Sequence, residues 1–195
     1  MKYEDNQEKI LSANGFISAY LHRGEGLEFV PLSDEPGHGY FRIPHKAILL
    51  ERHAKNLIVT KASQLMAKRM RPGTSWGAGI THLEVGTGFG TGTAQNPQPE
   101  NSAQTALRQP LARKAITSWT NLDGSGNPAG SDTNVLQLTT TFVENEANGA
   151  LVEMGLFGGD ATSTLGSGFM FNYKVFPAIN KDNTMQLTLV WKLTF

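Results

Sequence analysis

The end of the chain alternates between bulky apolar and mostly polar side chains. Across residues 185–195 the odd-numbered positions are all apolar, among them Leu187, Leu189 and Trp191. A period of two is typical of a β-strand that buries one face. We therefore expect this stretch to be built into a sheet as far as Phe195, and we expect truncation there to be destabilising.

Other stretches of the chain resemble short strands separated by turns. At 195 residues, with 39% hydrophobic residues and 21 glycines, the chain fits one domain, or one domain with an arm, rich in short strands. No helices stand between these stretches to make parallel crossovers. The sequence predicts a mainly β fold, an antiparallel β-sandwich of the jelly-roll kind. The strands are expected at residues 80–85, 113–119, 136–143, 151–157, 169–176 and 185–195.

One α-helix is predicted before the sandwich, over residues 56–70. Asn56 is a suitable N-cap, and the apolar residues recur at helical spacing. Basic residues gather near the end of the stretch, and the sequence Arg71-Pro72-Gly73 would stop a helix. The basic face is interpreted as a solvated surface. The apolar side is formed by Leu57, Ile58, Ala62, Leu65 and Met66.

The N-terminal part of the chain is irregular in pattern. We interpret residues 1–54 as an extended arm that attaches the protein to something else, and residues 55–195 as the helix plus the sandwich domain. An alternative stays open, because the short extended pieces before residue 54 also suit strands of the same domain.

Charge and cysteine content limit the partners. Lys plus Arg equals Asp plus Glu at 17 each, so no net field draws the chain to nucleic acid or anionic lipid. A chain without net charge lacks the repulsion that keeps free monomers soluble, which mildly favours a protein that is part of a larger assembly. The absence of cysteine excludes disulfides and thiolate chemistry. No stretch approaches the roughly 18 apolar residues of a membrane span, and no signal peptide is evident, so membrane insertion is not expected.

The glycine-rich run after residue 85 does not match a phosphate-binding loop. Gly86, Gly88 and Gly90 have the wrong spacing, and no helix follows them. We expect them instead to permit close backbone approach where a strand turns. The histidines show no recognised metal-ligand spacing, so no metal is expected. A metal held by His38 and His45 with an acidic neighbour is the alternative. No cofactor is expected either. His82, within an alternating strand, is the histidine most worth inspecting for an ion.

No arrangement of residues predicts an enzyme. Glu144, Glu146 and Glu153 would serve as an acid and base pair only if two of them faced each other across a cleft, and no nucleophile elbow is present. Glu153 lies in an otherwise apolar strand, where an unpaired charge would be costly to bury. We therefore predict an ion pair with Arg113. An outward-facing Glu153, or one bonded to the strand ladder, is the alternative.

Several short runs together resemble a known class of viral protein. They are residues 80–88, then Leu107 with Leu111 and Arg113, then residues 146–157 and 176–181, followed by the closing strand. They resemble the tail-fibre and baseplate-associated structural proteins of tailed bacteriophages, and the resemblance covers residues 55–195. It implies an all-β domain in a virion, a homo-oligomer such as a homotrimer, and no enzymatic activity.

The resemblance leads to an expected function and location. We expect a structural protein of the virion tail, made in the host cytoplasm, that binds itself and neighbouring tail proteins through Trp76, Phe89 and Trp119. Buried aromatic anchors of this kind supply most of the energy in many interfaces. One alternative is a capsid decoration or head-tail connector protein. Another is a module that binds host-surface carbohydrate through exposed aromatics and residues 121–134.

Overall fold

The computed structural model describes residues 14–23, 28–31, 39–42, 48–60 and 78–195. Across these residues the chain forms eleven β-strands, and every strand pair is antiparallel. The predicted mainly β, antiparallel architecture is therefore confirmed. The strands are β1 (Asn14–Arg23), β2 (Glu28–Pro31), β3 (Gly39–Arg42), β4 (Ile48–Ile58), β5 (Ala78–Gly86), β6 (Pro110–Ala115), β7 (Ser118–Asn121), β8 (Val135–Phe142), β9 (Gly149–Gly159), β10 (Phe169–Lys181) and β11 (Met185–Thr194).

Nine of these strands form one sheet in the order β6-β5-β9-β10-β4-β1-β11-β8-β7, and β2 pairs with β3. The strand predicted over residues 113–119 is in fact two strands, because Ile116 and Thr117 interrupt it. The amide of Ile116 donates to Thr81 O on β5 at 2.9 Å, and that of Thr117 donates to Thr139 O on β8 at 3.0 Å. Since β6 and β7 stand at opposite ends of the order, the sheet must curl until its two ends meet.

The last strand behaves as its alternating pattern predicts. Leu187, Leu189, Trp191 and Leu193 are fully buried, and β11 pairs with β1 on one side and β8 on the other. The prediction of a half-buried strand is confirmed. At its end the amide of Phe195 donates to the carbonyl of Asn134 at 2.9 Å, and the Asn134 side-chain amide donates to Phe195 O at 3.0 Å.

The predicted helix does not begin at Asn56. Asn56 belongs to β4, where it pairs with Gly15 of β1. The strand then continues through Leu57 and Ile58, which pair with β10. Neighbouring strands supply these residues with backbone partners, and such tertiary pairing outweighs local preference. Residues 61–70 of the predicted helix lie outside the described residues.

Two of the four described strands of the N-terminal segment belong to the main sheet, and the other two, β2 and β3, pair with each other. β1 and β4 occupy the middle of the nine-strand order, each with a hydrogen-bonded neighbour on both sides. The boundary predicted between residues 54 and 55 falls inside β4. β1 and β4 thus share one sheet with β5 to β11. The division into an arm and a sandwich domain stays a prediction.

Candidate functional site

The carboxylate of Glu153 is fully buried on β9 and accepts four hydrogen bonds. Its Oε1 accepts hydrogen bonds from the backbone amides of Gly88 at 3.1 Å and Gln109 at 2.7 Å. Its Oε2 accepts from the amide of Arg108 at 2.9 Å and from the hydroxyl of Tyr173 at 2.7 Å. One carboxylate thus joins two loop segments and β10 to β9.

Glycine is required where the chain passes this carboxylate. A Cβ atom at Gly86 would lie 2.4 Å from the carbonyl oxygen of Gln109 and 2.6 Å from Glu153 Oε1. At Gly88 it would lie 2.6 Å from Arg108 Cβ and 2.7 Å from Glu153 Oε1. The expectation that these glycines permit close backbone approach is confirmed, and the group approached is a carboxylate.

Arg108 extends the same network along the loop between β5 and β6. Its guanidinium donates to the carbonyls of Gln98 and Pro99, both at 2.8 Å, and lies 5.6 Å from the centre of the Tyr173 ring. Burial, together with the hydrogen bond and charge of Glu153, raises the pKa of Tyr173 well above its usual range. The phenol is therefore a hydrogen-bond donor at neutral pH.

The predicted ion pair between Glu153 and Arg113 is wrong. Arg113 pairs instead with Glu84, with 2.6 Å between Nε and Oε2, and both side chains are fully buried. The reason is register: Glu84 lies directly opposite Arg113 on β6, whereas Glu153 lies opposite Gly86 on the other side of β5. Sequence reasoning missed Glu84. The only signal was a charged residue within the alternating stretch before the glycine run.

Arg113 also holds the loop between β9 and β10. Its Nη1 donates to the carbonyls of Thr162 at 3.1 Å and Ser167 at 2.8 Å, and the amide of Gly166 donates to Glu84 Oε2 at 2.8 Å. The guanidinium lies 4.2 Å from the centre of the Phe157 ring, which is a cation–π contact. The buried pair therefore anchors residues 160–168.

Lys181 plays the complementary role for the loop between β8 and β9. It is only 3% exposed, and its Nζ donates to the carbonyls of Val143 at 2.9 Å and Glu144 at 3.1 Å and to Asn148 Oδ1 at 2.8 Å. Burial lowers the pKa of Lys181, while the negative charges of Glu144 and Glu146 act in the opposite direction. The Lys181 ammonium thus holds loop carbonyls in the same way as the Glu153 carboxylate holds loop amides.

His82 is engaged locally. Its Nδ1 lies 2.9 Å from Thr81 Oγ1. Burial, and secondarily the positive charge of Arg113, lower the pKa of His82. Within the described ranges, no three His, Cys, Asp or Glu side chains come together as metal ligands. Nor does any helix in that part of the chain have the length and apolarity needed to cross a membrane.

Two of the three predicted interface residues can be placed, and both are exposed. Phe89 is 43% exposed in the loop after β5, and Trp119 is 45% exposed on β7 at the end of the sheet order. Trp76 lies outside the described residues. Sequence reasoning missed Leu165, whose exposed side chain lies in the loop that Arg113 anchors. Polar neighbours in a turn gave no hint of it.

Comparison of the chain with protein-family models gives no match, and comparison with curated proteins gives none either.

Proposed function

We propose that this chain is a non-enzymatic structural protein of a bacteriophage tail, in the fibre or the baseplate. It assembles as a homo-oligomer, a homotrimer, and docks to neighbouring tail proteins. The resemblance of residues 55–195 to such proteins supports this proposal, as does the antiparallel β architecture. We also propose that the curled sheet folds onto itself as a two-layer, jelly-roll-like sandwich. This form is supported by the single core that includes both Leu83 and Trp191, from distant strands.

The observation that carries the proposal is that two buried carboxylates bind backbone amides directly beside exposed apolar residues. Glu153 holds the amide of Gly88, and the next residue is the exposed Phe89. Glu84 holds the amide of Gly166, and the preceding residue is the exposed Leu165. In both loops a buried charge fixes the backbone beside an apolar side chain that faces solvent.

Such loops suit a part that must present a fixed surface to neighbours. Ordering a loop during binding costs conformational entropy, and a loop that is already fixed avoids that cost. Aromatic side chains such as that of Phe89 are enriched in protein interfaces. The anchored loops therefore favour docking over chemistry as the use of these two surfaces.

Two measurements test the proposal. Sedimentation velocity of the full chain should give an oligomer, and Phe89→Ser and Leu165→Ser should weaken it. Leu49→Ser is the matched control, because Leu49 is similarly exposed but lies on β4, outside the anchored loops. Gold-labelled antibody on intact particles that carry the chain should mark the tail. A stable monomer whose antibody marks no tail would contradict the proposal, and labelling of the head would favour the decoration or connector alternative.

Trp119 favours a second candidate, the carbohydrate-binding module. Its indole is exposed on an edge strand, and two residues away the side-chain amide of Asn121 donates to Asp132 at 3.2 Å. An aromatic face beside planar polar groups is suited to sugar rings. Glycan-array binding that disappears in Trp119→Ala would support this candidate. Array silence, with adsorption unchanged in that variant, would remove it.

A further inference from the structure

The contact between Lys181 and Asn148 is unusual in joining a buried amine to a carboxamide. Nζ lies 2.8 Å from Oδ1, and Lys181 lies directly opposite Gly149 in the pairing of β10 with β9. With a C=O bond of about 1.2 Å, the carboxamide carbon Cγ lies no more than about 4 Å from Nζ. Reacting atoms in near-attack geometry are about 3–3.5 Å apart. A small rotation of the amide would bring Cγ into that range.

We propose that Lys181 and Asn148 form an intramolecular isopeptide bond. The bond between Nζ and Cγ forms, the bond between Cγ and Nδ2 breaks, and ammonia leaves. A lysine ammonium and a carboxamide give a secondary amide and an ammonium ion, so atoms and charge balance. No oxidant, reductant or other co-reactant is needed.

The surroundings of Lys181 supply what this reaction requires. A nucleophilic lysine must lose a proton, and the burial that lowers the pKa of Lys181 increases its neutral fraction. The carboxylates of Glu144, Glu146 and Asp182 act electrostatically on the amine. In this proposal one of them would accept its proton. Glu146 is fixed by the amide of Val143, which donates to its Oε2 at 2.9 Å. The carbonyls of Val143 and Glu144 accept hydrogen bonds from Nζ and hold it in place.

The bond would serve a chain that has no cysteine. It would close a loop containing β9, β10 and the connection between them, because Asn148 precedes β9 and Lys181 ends β10. A covalent cross-link reduces the entropy of the unfolded chain, as a disulfide does. The protein would gain this durability without an oxidising environment.

Mass spectrometry of the purified full chain tests the proposal. The intact mass should be lower than the sequence mass by one ammonia molecule. Trypsin should give a branched peptide that joins residues 115–174 to residues 175–192, with no cleavage after Lys181. Lys181→Arg is the matched control, because arginine keeps the charge and the hydrogen-bond donors but is not nucleophilic. That variant and Asn148→Ala should both have their full sequence mass.

Two results on the wild-type protein would overturn the proposal, whether or not the variants fold. One is the full sequence mass together with cleavage after Lys181. The other is loss of ammonia with normal cleavage after Lys181, which would indicate a succinimide at one of the two Asn-Gly sequences, Asn14-Gly15 or Asn148-Gly149, in place of the cross-link. If the branched peptide is found, Glu144→Gln and Glu146→Gln should slow its formation in freshly refolded protein.

Discussion

The hydroxyl oxygen of Tyr173 lies 2.7 Å from Glu153 Oε2, and both side chains are fully buried. The phenol donates this hydrogen bond to a carboxylate that already accepts three backbone amides. Hydrogen bonds to charged groups in such surroundings are stronger than those between neutral groups. Together they connect two strands to the long loop between β5 and β6.

Replacement of Tyr173 by phenylalanine should lower the free energy of unfolding by about 1.5–3 kcal/mol, the usual contribution of a hydrogen bond to a charged group. Urea denaturation at neutral pH measures the loss. An unchanged denaturation midpoint would mean that the three backbone amides satisfy the carboxylate on their own.

The same hydroxyl predicts a pH dependence at the alkaline end. The folded-state pKa of Tyr173 is raised above its ordinary value of 10.0, so the unfolded chain loses this proton first. Unfolding then releases a proton, and stability falls as the pH rises above about 10. Below that pH the contribution of Tyr173 is fully present.

The difference in unfolding free energy between wild type and Tyr173→Phe isolates this contribution, because other titrating groups are common to both proteins. We expect the difference to be constant below pH 10 and to shrink above it. A difference that grew with pH would contradict the assigned direction of the shift.

Gly88→Ala should destabilise the protein by about 1–3 kcal/mol, the usual cost of adding a methyl group to a packed site. The new Cβ would meet Arg108 Cβ at 2.6 Å and Glu153 Oε1 at 2.7 Å. Gly124→Ala is the matched control, because a Cβ there has nothing within 4 Å. Thermal unfolding of both variants is the measurement, and equal effects would argue against the close packing of the loop on Glu153.

Replacing only one partner of the Glu84–Arg113 pair should lower the free energy of unfolding more than replacing both. Arg113→Met leaves a buried carboxylate without its partner and should cost about 3–5 kcal/mol. Adding Glu84→Leu should restore much of that loss, because a well-packed apolar pair can replace a buried ion pair. Urea denaturation of the two single variants and the double variant gives the coupling energy.

Lys114→Met is the control for this prediction, since Lys114 neighbours Arg113 on the same strand. Its pair with Glu146 is partly exposed, with 28% and 39% of the two side chains accessible. Such pairs contribute at most about 1 kcal/mol. A loss in Lys114→Met as large as that in Arg113→Met would show that the burial of the Arg113 pair is not what matters.

The elements predicted correctly are those whose pattern is local. The alternation through Leu187, Leu189 and Trp191 directly encodes a half-buried strand, and the glycine run marks a close backbone approach. Asn56 was misassigned because Leu57 and Ile58 fit both a helical and an extended pattern over so short a window.

The polar partners could not be predicted, because register decides them. The sequence indicated that a buried Glu153 needs hydrogen-bonding partners, and an arginine was a reasonable candidate for one of them. Yet the pairing of β5 with β6 and β9 places Glu84 opposite Arg113 and leaves Glu153 to backbone amides. These strands are far apart in the chain, and only the folded sheet brings them together.

Amide hydrogen exchange in Glu153→Gln tests most directly the claim that buried charges anchor the loops of this protein. The substitution keeps the size of the side chain but removes its charge and puts a donor where an acceptor is needed. We predict that exchange accelerates at the amides of Gly88, Arg108 and Gln109, while the amides of β11 stay as protected as in wild type. Unchanged exchange at those three amides in a folded variant would contradict the claim.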